Sequence, residues 1–204
     1  MSSQQCLQIN LNLIQTVDQS VFKEYQTDDD EFYGEPGKQH YKLLSYLSTL
    51  YKNSNIIDIG THKGSSALAL SFEKSNTVHT YDIINKIQGI EFQRKLFSEK
   101  DNIVRHYENL WDNLNNHRKF LLSCPLIFVD IDPHEGKDEL IFYYYMMSIN
   151  YPGILIFDDV HYFEGMRKFW SQVDNKHKYD LTKYGHFSGT GVVIFNDSIK
   201  LNIN

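Results

Sequence analysis

Five carboxylates and two glycines stand at spacings that could bind and activate a ligand: Asp58 with Gly60 and Gly64, then Asp82, then Asp130, then the pair Asp158 and Asp159. The segment NIIDIGTHKGSSALA, from Asn55 to Ala69, runs from an apolar strand through a glycine turn into a Ser/Ala helix start. Glycine lets backbone approach a ligand where a Cβ would collide, and the helix start behind it, with Thr61 and Ser65 alongside, offers unpaired N–H groups. The spacing is D-x-G-x-x-x-G and not the G-x-G-x-x-G that cradles a pyrophosphate. An acid beside such a loop suits a ligand carrying an ammonium group and hydroxyls. A strand-to-helix turn that needs glycine for its own geometry would read the same way, so the loop alone leaves both readings open.

The other acids narrow the chemistry. Asp82 follows Asp58 by 24 positions, close to the spacing of about 20 at which a carboxylate takes ribose hydroxyls; capping of the next helix is the alternative. Asn109 to Trp111 would lie over an adenine, with Asn109 as a contact and Trp111 either a stacking face for the ring or, the preferred reading, ordinary core. Asp130, Asp158 and Asp159, at neighbouring strand ends, would repel one another unless a cation sat among them. Carboxylates and water are the usual surroundings of Mg2+, which leaves room for substrate oxygens. Helix capping, or pairing with Lys or Arg, would explain the acids without a metal. His134 in DIDPH and His161 in FDDVH follow the two acid clusters, and each is a candidate general base, His161 slightly ahead because one residue separates it from the acid pair. Asp132 is a further candidate ligand or base.

These residues must be positioned by alternating strands and helices. Helices are predicted over Gln39–Tyr51, Ser65–Phe72, Ile87–Phe97, Asn113–Leu122 and Glu139–Ser148, and strands over Asn55–Ile59, Thr77–Tyr81, Asn102–His106, Pro125–Ile131 and Ile154–Phe157. Met166, Phe169, Trp170 and Val173 make a helical core stripe. Lys178–Tyr184 and Gly191–Phe195 flank HFSGT as a hairpin. The pattern predicts an α/β fold, a doubly wound, seven-stranded, mostly parallel sheet with an antiparallel C-terminal strand. Residues 1–37 read as a helical lead-in, strongest over Leu7–Val21, followed by a loop; residues 38–196 are the core of a single domain.

Composition restricts the partners. The 204 residues are 41% hydrophobic and 23% charged, enough for one buried core. A net charge of −6 without a Lys/Arg cluster argues against nucleic acid. The acidic run Asp28–Glu31 is read as a solvated loop. Two distant cysteines, Cys6 and Cys124, give no disulfide framework or thiolate zinc site. With no charged-then-apolar leader and no membrane-length segment, the expectation is a cytoplasmic protein without a membrane partner; self-pairing as a homodimer is left open.

DIGTHKGSSALAL, TYD, FVDIDPH and PGILIFDDVH, in this order, resemble the class I S-adenosylmethionine-dependent methyltransferases, and more narrowly the metal-dependent O-methyltransferases of the catechol, caffeoyl-CoA and macrolide-sugar types. The resemblance runs from about Gln39 to Phe195. It implies S-adenosylmethionine contacts at Asp58, Gly60 and Gly64, a ribose contact at Asp82, cation ligation by Asp130, Asp158 and Asp159, and a base near the metal, which His161 or His134 would supply. Asp130 also borders the cofactor side. Two departures stand out: Asp159 occupies a place where the catechol type has Asn, and Pro133 stands where a Lys base would be expected. Both lean toward the sugar-modifying type, so a sugar or sugar-nucleotide hydroxyl is the expected acceptor, ahead of a catechol. Competing readings are a metal-independent N-methyltransferase acting on nucleic acid or protein, disfavoured because strand four is followed by no NPPY-like tetrad, and a non-catalytic cofactor-binding subunit.

Overall fold

The computed structural model describes residues 6–25, 32, 34, 37–84 and 91–202. The acidic run at 28–31 and the first residues of the helix predicted from Ile87 lie outside the described residues. The chain opens with β1 (Leu7–Asn10) and two 3-10 turns (Leu11–Thr16 and Gln19–Tyr25), then α1 (Gly37–Ser48), β2 (Asn55–Ile59), α2 (Ser65–Leu70), β3 (Thr77–Asp82), α3 (Glu91–Glu99) and β4 (Ile103–Tyr107). It continues through α4 (Leu114–Ser123), β5 (Leu126–Val129), α5 (Lys137–Ser148), β6 (Ile154–Asp158), α6 (Glu164–Gln172), β7 (Lys178–Asp180), β8 (Thr190–Ile194) and β9 (Ile199–Asn202). The predicted elements of the core are all present, with ends shifted by a few residues.

Seven strands form one sheet in the order β4-β3-β2-β5-β6-β8-β7. All neighbours pair in parallel except β8, which runs antiparallel to both β6 and β7. The predicted antiparallel strand is therefore inserted between two strands of the other direction. The order reverses between β2 and β5, and in open sheets of this kind ligands bind outside the carboxyl ends of the strands at that reversal.

Side-chain alternation divides the core into two layers. Ile56, Leu126, Phe128, Ile154 and Ile156 pack with Leu43, Leu44 and Leu47 of α1, the alanines of α2 and Leu96 of α3. Ile57, Ile59, Ile127, Val129, Leu155 and Phe157 pack on the other face with Leu121, Phe142, Met146, Met166 and Phe169 from α4, α5 and α6. Met166, Phe169, Trp170 and Val173 are all buried, as their spacing required, and Cys124 is buried just before β5. The N-terminal expectation is corrected: Leu7–Asn10 is a strand paired in parallel with β9, because the alternation that buries Ile9 fits a strand edge, and only short 3-10 turns follow.

Candidate active site

Strand parity explains why the acids meet. Asp58, Asp130 and Asp158 each follow an inward residue of the α1-side layer by two positions, so all three face that side. Val129 is opposite both Ile59 and Phe157, which sets Gly60, Asp130 and Asp158 at one level across three adjacent strands. A cleft of about 790 Å³ opens above them, lined by Gly60–Lys63, Ser65 and Ser66 after β2, by Asp82, by Asn109–Asp112, by Asp130, Asp158 and Asp159, and by His40, His134 and His186. The size is that of a site for a cofactor or a drug-sized ligand.

At the cofactor end, Gly60 has φ +100°, and a Cβ there would lie 1.6 Å from the backbone oxygen of Asp130. The glycine is thus required by the crossing of two strand ends, and the loop it permits lines the cleft through Thr61, His62, Lys63 and Ser65. Asp82 accepts the amide N–H of His62 at 2.9 Å on one oxygen and that of Ile84 at 2.8 Å on the other. It ties the loop to the end of β3 and lines the cleft, and each carboxylate oxygen can accept more than one hydrogen bond. Asn109 lines the same wall and its side chain accepts the amide of Trp111.

Three expectations need correction. Asp58 does not line the cleft; it is fully buried below the loop, where Thr80 donates to it at 2.5 Å and shares a 2.6 Å contact with Thr61. Burial pushes its carboxyl up to about 7 despite the Thr80 and Ser66 hydroxyls. Gly64 also lies off the cleft: its φ of +92° starts α2 in a left-handed conformation, and a Cβ would meet Leu96 and Phe97 of α3. Trp111, read as core, is partly buried against the core and also lines the cleft wall, one face stacked on Phe142 at 5.1 Å and its indole N–H donated to the Asp138 carbonyl.

At the other end the carboxylates are joined by three histidines. His186 Nδ1 lies 3.4 Å from Asp158 and 3.4 Å from Asp159, with Ser188 Oγ at 2.6 Å. Burial alone would lower its pKa, but both carboxylates override this and raise it to about 10. His134 Nε2 is 3.6 Å from Asp159 and 3.4 Å from Asp132, with its ring parallel to Phe163. His40, on α1, is buried, which lowers its pKa, and its Nε2 stands 3.9 Å from Asp158. Burial, then the charges of Asp158 and Asp159, hold the Asp130 carboxyl well above the usual range. Burial also pushes Asp159 up, but the hydrogen bonds of His186 and Ser188 and the charges of His134 and His186 outweigh it, leaving a net lowering.

His161 is not part of this cluster. Asp159 has φ +58°, and the chain turns there so that the His161 ring points to β7, where its Nε2 meets Asp180 at 2.6 Å on the exposed surface. That contact removes the base that proximity in sequence favoured. The residues that sequence reasoning missed are His40 and His186; the first was counted only as part of a packing helix and the second sat inside a turn signal. Asp130 with His134 and Asp159, and Asp158 with Asp159 and His186, each bring three potential metal-ligand atoms within 4.8 Å of one another. Oδ1 of Asp158 is buried without a hydrogen-bond partner, and Oδ1 of Asp159, also buried, has only the 3.4 Å approach of His186 Nδ1. A cation would satisfy both, so the donor set fits the expected ion.

No protein-family profile and no curated protein sequence matches this chain. Solved structures do. A Staphylococcus aureus protein assigned as a caffeoyl-CoA O-methyltransferase superposes with a TM-score of 0.61 at 16% identity, over 90% of this chain and 96% of that one. An SAH-bound methyltransferase from Podospora anserina gives 0.57 at 14% identity, over 92% and 86%. An O-methyltransferase from Bacillus cereus in complex with SAH gives 0.54 at 16% identity, over 90% of each chain. With its sheet order, single antiparallel strand and cleft at the strand reversal, this chain has the fold of the class I S-adenosylmethionine-dependent O-methyltransferases.

Proposed function

We propose that the protein is an S-adenosylmethionine-dependent O-methyltransferase that uses a divalent cation to methylate a hydroxyl of a small molecule, a sugar or sugar nucleotide ahead of a catechol. The observation that carries this reading is one cleft with two unlike ends: a glycine loop and Asp82 at one, and Asp130, Asp158 and Asp159 at the other, where Oδ1 of Asp158 is buried without a hydrogen-bond partner. S-adenosylmethionine would lie along Gly60–Ser65, its ribose hydroxyls on Asp82 and its adenine beside Asn109 and Trp111. Asp130, Asp158 and Asp159 would hold the cation, whose chemistry is to acidify and orient the acceptor hydroxyl.

His134 is the base in this scheme. It lines the cleft with its Nε2 3.4 Å from Asp132 and 3.6 Å from Asp159, carboxylates that would stabilise the imidazolium formed on proton transfer, and Phe163 lies parallel to its ring. His134 takes the hydroxyl proton as the oxygen attacks the methyl carbon. The C–O bond forms as the C–S bond breaks, and the sulfonium leaves as neutral S-adenosylhomocysteine. The protein otherwise contributes position, holding donor and acceptor in one cleft. A cytoplasmic setting suits a reaction on soluble metabolites; among the described residues, no helix is long and apolar enough to cross a membrane.

The test is transfer of isotopically labelled methyl to sugar nucleotides and catechols, with and without a chelator. Labelled ether that disappears on chelation and returns with added divalent ion supports the proposal. Transfer that ignores the chelator rejects the cation, and transfer to nitrogen rejects the O-methyl assignment.

A further inference from the structure

His186 stands between the two adjacent carboxylates at the end of the strand Ile154–Asp158. Its Nδ1 is equidistant, at 3.4 Å, from an oxygen of Asp158 and an oxygen of Asp159. Asp158 is 6% exposed, and its Oδ1 is buried with no partner. His40 packs beside this group, its ring 5.4 Å from that of His186 and its Nε2 3.9 Å from Asp158. Ser188 Oγ, 2.6 Å from Nδ1, is the contact an entering ion would displace, and its hydroxyl can rotate away.

We infer that His186 is a ligand, so that the cation of the proposed methyltransferase site is held by one imidazole nitrogen together with Asp158 and Asp159, and is a transition ion of the manganese-to-zinc series in place of magnesium. This rests on the reading of the cleft given above. Imidazole is a borderline ligand that suits zinc, copper, iron and nickel, whereas magnesium takes oxygen and water and demands an octahedral shell. A nitrogen in the inner shell therefore changes which ion the cell's pool will load. It also separates the histidines by role: His186 binds the ion, and His134, on the far oxygen of Asp159, remains free to take a proton.

Pulsed electron paramagnetic resonance of Mn2+ tests this without reference to turnover. The full-length protein, freed of metal by chelation and saturated with S-adenosylhomocysteine, is titrated with Mn2+ alone. The expected result is a 14N coupling on the bound ion that disappears in His186→Gln and persists in His134→Gln and His161→Gln. Calorimetry with Zn2+ and with Mg2+ accompanies it: His186→Gln should weaken Zn2+ by at least about 10-fold and Mg2+ by less than about 3-fold. Unchanged affinity for S-adenosylhomocysteine shows that each variant is folded. Bound Mn2+ without nitrogen coupling overturns this inference and leaves the cation-assisted methyltransferase standing. Coupling lost only in His134→Gln moves the ligand to the other triad and overturns it too. No bound ion, together with methyl transfer indifferent to chelation, overturns both this inference and the role of the cation.

Discussion

Replacing Asp58 by Asn should make the metal-free protein more stable at neutral pH and leave it nearly unchanged in acid. Asp58 is fully buried beneath the glycine loop, and burial lifts its carboxyl from the ordinary 3.8 to about 7. The folded state then binds a proton more tightly than the unfolded chain, so stability falls as pH rises from the unfolded value toward the folded one. Between these limits the loss grows to about 4 kcal/mol, since each pH unit of separation is worth about 1.4 kcal/mol. Asn carries no charge and can still meet the Thr80 hydroxyl, so its stability lacks this slope. In urea unfolding, the advantage of Asp58→Asn should widen from about 1 kcal/mol at pH 4.5 to about 4 kcal/mol at pH 8.5. An advantage that stays flat across this range, or a wild type more stable than the variant at pH 8.5, would refute the placement of Asp58 as a buried support whose carboxyl is lifted by burial.

The remaining predictions concern the loop and the cluster. Gly60→Ala must push its Cβ away from the Asp130 carbonyl and should cost at least about 3 kcal/mol in urea unfolding; Gly64→Ala, whose nearest neighbour is the end of the Leu96 side chain, should cost about 1–3 kcal/mol. His134→Ala should lower kcat by about 100-fold or more with little change in KM, whereas His161→Ala, whose ring is engaged with Asp180 on the surface, should leave kcat within about 3-fold, a smaller change than loss of a general base would give. Asp158→Ala should abolish cation-dependent turnover while S-adenosylhomocysteine still binds, a separation that calorimetry and the labelled-methyl assay measure together.

The fold was legible because the strands carry their own boundaries. Leu126–Val129 and Ile154–Ile156 are continuous apolar runs, as strands covered on both faces must be, and each ends in the acids that mark the ligand edge. Those acids could be grouped from sequence because Asp130 and Asp158 terminate adjacent parallel strands. What lay beyond reach depended on turns and distant segments. Nothing local indicates that Asp159 takes a left-handed conformation and sends His161 away from the cluster. His186 arrives from the β7–β8 hairpin, and His40 from a helix whose buried leucines gave the stronger signal. Asp58 and Gly64 satisfied a binding motif by spacing, yet Asp58 pairs with Phe128, two residues below the level of Asp130, and lies beneath the loop, and α3 packs over Gly64. The strand Leu7–Asn10 was read as helix because its partner, Ile199–Asn202, lies at the opposite end of the chain.

The central claim is that the cleft beside Gly60 and Asp82 is a nucleoside-cofactor site. Calorimetric titration of the full chain with S-adenosylhomocysteine tests it most directly, with Asp82→Ala as the comparison. The account predicts saturable binding of one molecule per chain that weakens by at least about 10-fold in Asp82→Ala, as expected for a lost pair of charge-assisted hydrogen bonds. Absence of binding at millimolar concentration, or an affinity indifferent to Asp82, would contradict it.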